Sequence, residues 1–87
     1  AVEVKFAKPM LKEFFHLKVS QVNAYQKKNA TILMVNGTDH DIPKFTMLKP
    51  EALANISAFC EQVGWRGFGG KKAYRIPIDM FIWRPLK

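Results

Sequence analysis

Leu11-Lys12-Glu13-Phe14-Phe15-His16-Leu17-Lys18-Val19-Ser20-Gln21-Val22 is the stretch on which the fold turns, because its apolar residues satisfy two periods at once. At a period of two, Phe15, Leu17 and Val19 face one way while His16, Lys18 and Ser20 face the other, as in a half-buried strand. At a helical period, Leu11, Phe14, Phe15, Val19 and Val22 make one stripe, with Pro9 just ahead of it. Two phenylalanines and two β-branched valines favour the strand, and the strand is the reading adopted.

Working outward, Val2, Val4 and Phe6 alternate with Glu3 and Lys5 as a half-buried strand that Pro9 ends or turns. Downstream, Thr31 to Val35 is an apolar run rich in strand formers. Asn36-Gly37 then signals a hairpin, which Thr38-Asp39-His40 lengthens. Residues 41–48 read as the returning strand, and Pro43 places it near a sheet edge. Pro50 to Val63 is the clearest helix. Pro50 suits a first helical position and Glu51 complements the helix dipole. Leu53, Ile56, Phe59, Cys60 and Val63 are assigned to its buried face, and Gly64 to its stop. Tyr74, Ile76 and Ile78 alternate as a further strand, and residues 80–83 form a last apolar one.

The expected fold is therefore α+β, with a small antiparallel sheet or OB-like barrel and one helix at about 50–63. In element order alone it resembles the OB-type layout, whose helix sits between the third and fourth strands. A helix at 11–22 would instead give the ferredoxin-like order β-α-β-β-α-β. Both layouts commonly carry single-stranded nucleic acid.

Eighty-seven residues make one domain, and such a chain buries only about 60–65% of its unfolded surface. Hydrophobic residues at 48% and charged residues at 24% exclude intrinsic disorder. A single cysteine, Cys60, excludes an intramolecular disulfide and favours a reducing, cytoplasmic setting. No signal-peptide pattern and no apolar run near 18 residues is present, so no membrane partner is expected. The sequons at Asn29, Asn36 and Asn55 are read as chance matches to a short motif.

The net charge of +7 is unevenly placed: +4 over residues 1–28, −2 over 29–63 and +5 over 64–87. Two basic flanks gathered on one face would suit a polyanion. Trp65-Arg66-Gly67-Phe68-Gly69-Gly70-Lys71-Lys72 sharpens that expectation. Its glycines would leave backbone N–H groups free for phosphate oxygens. Arg66, Lys71 and Lys72 would supply charge, and Trp65 and Phe68 flat faces for bases. The spacing matches neither a P-loop nor a dinucleotide fingerprint. The competing structural reading folds Trp65 and Phe68 back over a thin core. A second candidate surface joins Phe14, His16 and Lys18, which point together on the strand reading. Tyr74 is assigned to the core, with Arg75 and Lys71 on the opposite, solvated face.

Catalytic groups are sparse. Cys60 is assigned to a buried helix face without an activating cation, and the acids are scattered. Asp39-His40-Asp41 reads as a solvated turn rather than a metal site. The function expected is non-enzymatic and cofactor-free: binding of single-stranded DNA or RNA through Trp65, Arg66, Phe68, Lys71, Lys72, Arg75, Phe14 and Lys18. The alternative is a protein-interaction module, an inhibitor or adaptor gripping an acidic partner. The Pro43 edge and the apolar 80–83 stretch leave a homodimer open.

Overall fold

The computed structural model describes residues 2–7, 11–38 and 42–86. The expected turn at Pro9 and the Asp39-His40-Asp41 loop lie outside the described residues. The chain is α+β, with two sheets and two α-helices among the described residues. The first sheet has the order β1 (Val2–Ala7), β3 (Thr31–Asn36), β4 (Lys44–Leu48), β7 (Arg84–Pro85). Its β1–β3 pair is parallel and the other pairs are antiparallel. The second sheet, antiparallel throughout, has the order β2 (Phe14–Lys18), β6 (Lys72–Pro77), β5 (Glu61–Gly64). Helices α1 (Val19–Lys27) and α2 (Pro50–Phe59) complete the fold. The strands thus divide between two sheets, in place of one barrel or the single sheet of a ferredoxin-like layout.

Both readings of the ambiguous stretch are realised in succession. Phe15 and Leu17 alternate into the core from β2, and the period then changes at Val19. From there Val22 is buried and Val19 and Tyr25 are half-buried at helical spacing on α1. Asn29, at φ 55°, stops this helix. The Ala30 N–H donates to the Tyr25 carbonyl at 2.9 Å and the Asn29 N–H to the Gln26 carbonyl at 3.1 Å, a Schellman closure.

The second helix is shorter than the expected 50–63. It ends at Phe59, with Cys60 already extended at φ −90°, ψ 142°. Leu53 and Ile56 are fully buried, whereas Phe59 is 79% exposed. At 100° per residue, Phe59 lies about 90° from the centre of the Leu53–Ile56–Cys60 stripe. Val63 is half-buried in β5, and Gly64 ends that strand rather than the helix. The backbone gains more by pairing Glu61–Gly64 with β6 than by continuing a helix whose stripe is exhausted.

One core unites all layers. Phe15, Leu17, Tyr74 and Ile76 come from the second sheet, Ile32, Met34 and Leu48 from the first, and Val22, Leu53 and Ile56 from the helices. Each such side chain, fully buried, stabilises the fold by about 1.5–3 kcal/mol. The expected strand at 80–83 does not form. Ile78–Met80 make a 3-10 turn, and Trp83 folds edge-on against Phe15 with ring centroids 5.9 Å apart. There the Trp83 indole N–H donates to the Ile78 carbonyl at 2.6 Å, which gives its polar end a partner. Arg84–Pro85 then pairs with Lys44–Phe45, so β4 is not an open edge beside Pro43. Both premises for a dimer interface therefore change: the edge strands among the described residues are β1 and β7 in the first sheet and β2 and β5 in the second.

Candidate nucleic-acid interface

The β2–β6 register sets His16 opposite Arg75 and Phe14 opposite Pro77, on the sheet face turned away from Phe15, Leu17, Tyr74 and Ile76. Strand alternation therefore gathers Phe14, His16, Lys18 and Arg75 on one face. The β5–β6 hairpin supplies the rest. Trp65 follows Gly64, and Arg66–Phe68 form a 3-10 turn. Gly69 at φ 66° and Gly70 at φ 83° reverse the chain, left-handed conformations that an L side chain rarely adopts. The turn returns Trp65 and Phe68 onto β2.

The Trp65 ring stacks on His16, with centroids 3.6 Å apart and planes 7° from parallel. Lys18 Nζ sits 5.2 Å from the Phe68 ring centre, and the Arg75 guanidinium carbon 5.6 Å from that of Phe14. Contacts of this kind at exposed sites are worth about 0.5–1 kcal/mol each. Gly67 has a specific role here: a Cβ at that position would lie 2.8 Å from Trp65 Nε1, so the indole packs where only glycine leaves room. His16 Nε2 is buried without a hydrogen-bond partner among the described residues. Burial first, and the Arg75 charge second, push the imidazole pKa below its ordinary value. His16 is accordingly a neutral, flat partner for Trp65 at neutral pH.

Two surfaces that are separate in sequence thus become one. Phe14, Lys18, Trp65, Phe68 and Arg75 converge, with His16 between them. Arg66 and Lys71 are exposed at the hairpin end. Lys72 does not join: its strand position puts it on the same side as Tyr74 and Ile76, away from His16. Arg75 is also engaged, donating from Nη1 to Glu61 Oε1 at 3.1 Å, an exposed ion pair of small energy.

Of the three glycine N–H groups expected to stay free for phosphate, those of Gly69 and Gly70 are taken up within the turn. The N–H groups of Phe68 and Gly70 donate to the Trp65 carbonyl, that of Gly69 to Arg66, and that of Lys71 to Phe68. These four N–H groups close the turn itself, because two left-handed glycines after a 3-10 turn point them inward. Trp65 and Phe68 do fold back, as the structural reading has it, but onto the outer face of the second sheet rather than over the core.

No protein-family model, curated protein or solved structure matches the chain.

Beside this face runs a groove of about 430 Å³ that the sequence does not announce. Lys5, Phe6 and Ala7 of β1 line it from one side and Phe14 to Lys18 of β2 from the other, and Trp65 and Phe68 also line it. Asn36, only 3% exposed, pins this region. Its amide accepts from the Leu11 N–H at 2.9 Å and donates to the Leu11 carbonyl at 3.0 Å, tying the entry of β2 to the end of β3. His16 was within reach of sequence reasoning, since it alternates with Phe14 and Lys18. Lys5, Phe6 and Gln21 were not, because only the tertiary fold sets β1 beside β2.

Cys60 is half-buried at the end of α2, with Sγ 3.6 Å from Met80 Sδ. Burial raises its thiol pKa, which favours the protonated form. Among the described residues no three His, Cys, Asp or Glu side chains cluster as a metal site, and no helix is long and apolar enough to cross a membrane.

Proposed function

We propose that the protein binds single-stranded DNA or RNA, without catalysis, across the outer face of the β2–β6–β5 sheet. The observation that carries the reading is the convergence of three rings, Phe14, Trp65 and Phe68, with Lys18 and Arg75 lying 5.2 and 5.6 Å from two of them. A single strand presents phosphates and unstacked bases at short, regular intervals, and alternating cations and rings match that spacing. Each ring has a partner within the protein, His16 for Trp65, Lys18 for Phe68 and Arg75 for Phe14, and each keeps part of its surface exposed for a base. Duplex DNA hides its bases, so a surface built on stacking favours single strands. The net charge of +7 supplies the long-range attraction, and the single cysteine supports an intracellular, reducing location.

A second reading has its own support. Val2, Val4 and Phe6 of β1 are exposed, Phe6 at 65%, beside Lys5, and an apolar strip next to a cation suits a protein partner with an acidic surface. Fluorescence-anisotropy titrations with labelled single-stranded DNA, single-stranded RNA, duplex DNA and an acidic peptide, at two salt concentrations, separate the two. The proposal expects single strands to bind most tightly and to weaken steeply with salt. Tight peptide binding with no measurable affinity for any strand would give the protein to the second reading.

A further inference from the structure

We propose that the groove between β1 and β2 takes one unstacked nucleobase of the bound strand, an inference that rests on the nucleic-acid reading above. Consecutive residues of each strand line the groove: Lys5, Phe6 and Ala7 on one side, and Phe14 through Lys18 on the other. Neighbouring residues of a strand point to opposite faces. A cavity that touches all of them therefore runs along strand edges, not across a face. Among the described residues both edges are open, since β1 pairs only with β3 and β2 only with β6. On an unpaired edge every second residue turns its N–H and C=O outward. The walls thus present strand-edge backbone, although the Ala7 carbonyl already accepts from the Gly37 and Thr38 N–H groups, while Ala7, Leu11 and Met34 contribute apolar surface.

That combination fits a nucleobase, which is flat and apolar on its faces and hydrogen-bonding on its edge. The volume of about 430 Å³ lies within the ~300–1,000 Å³ of small-molecule sites. Charge complementarity fixes the class of occupant. Lys5 and Lys18 stand on the β1 and β2 sides, placed for the phosphates on either side of an inserted nucleotide, and Trp65 and Phe68, which also line the groove beside β2, would receive its neighbours. An extended peptide would use the same backbone edges, but would leave the paired rings and lysines of the groove without a matching repeat of flat and anionic groups.

The test is an abasic scan on the full chain. A strand of about six nucleotides, too short to slide, carries one abasic site moved through each position in turn. One position should lose about tenfold or more in affinity and the rest much less. 2-Aminopurine placed at that same position should brighten on binding as it leaves the stack. Filling the groove with Ala7→Phe should erase the position dependence while keeping the slope of log affinity against log salt. The wild-type scan stands by itself if that variant fails to fold. Equal losses at every position, with salt-dependent binding intact, would overturn the groove inference and leave the binding face standing. No binding by any strand would overturn both. An acidic extended peptide that binds the wild type but not Ala7→Phe, without competing with the strand, would assign the groove to strand addition instead.

Discussion

His16 stands under Trp65 with Nε2 buried and unpartnered, so the folded protein resists protonating it. The unfolded chain accepts that proton near the ordinary value of about 6.5. A lowered folded-state pKa therefore contributes stability that is fully present above about pH 6.5 and is lost as pH falls below it. The denaturation midpoint should drop between pH 7.5 and 5.5, and His16→Phe, which keeps a flat ring under Trp65, should shrink the drop. An unchanged drop would remove His16 from the account. The same scale settles the face of α2. Ile56→Ala should cost about 2–5 kcal/mol, because Ile56 is fully buried. Phe59→Ala should stay within about 0.5 kcal/mol, because that side chain stands in solvent. Denaturant midpoints of the two variants test the pair. Spacing alone suggested Phe59 as core; what it lacked was the rotation per residue, which carries Phe59 off a stripe that Leu53 and Ile56 define.

Among the elements, the β5–β6 hairpin carries the account. Gly67→Ala would set a methyl 2.8 Å from Trp65 Nε1, so the indole must leave His16 or the turn must open. The expected outcome is a changed ring-current shift of the His16 imidazole protons by NMR, weaker oligonucleotide binding and a preserved core. An unaltered His16 spectrum would mean the turn absorbs the methyl and does not hold Trp65. The helix start at Pro50, the β3–β4 hairpin at Asn36-Gly37 and the β6 alternation were all legible, because each has a local cause. The junction of β2 and α1 was legible only as an ambiguity. Its two periods are consecutive, and nothing local marks Val19 as the point of change until Val22 finds the core. The inward N–H groups of the glycine turn were not legible, since their direction depends on the left-handed residues Gly69 and Gly70 acting together.

At the level of the whole molecule, a charge of +7 attracts any polyanion, and geometry decides which cations touch it. Lys18 shares the face with the rings, whereas Lys72 lies on the other side of its strand. Lys18→Gln should flatten the dependence of log affinity on log salt by about 0.7, the value of one single-strand phosphate contact, and Lys72→Gln should leave it nearly unchanged. Equal slopes for the two variants would show that binding follows total charge and not this face. The two halves of the site were each visible in sequence as aromatic residues beside cations. Their union was not, because it depends on β2 pairing with β6 across more than fifty residues of chain. The central claim is that a single strand lies across that united face. Ultraviolet cross-linking of a short oligothymidine, with the attached residues mapped by mass spectrometry, tests it most directly. Cross-links at Trp65, Phe68 or Phe14 are the predicted result, and cross-links confined to Phe45 or Phe81, beside the first sheet, would contradict it.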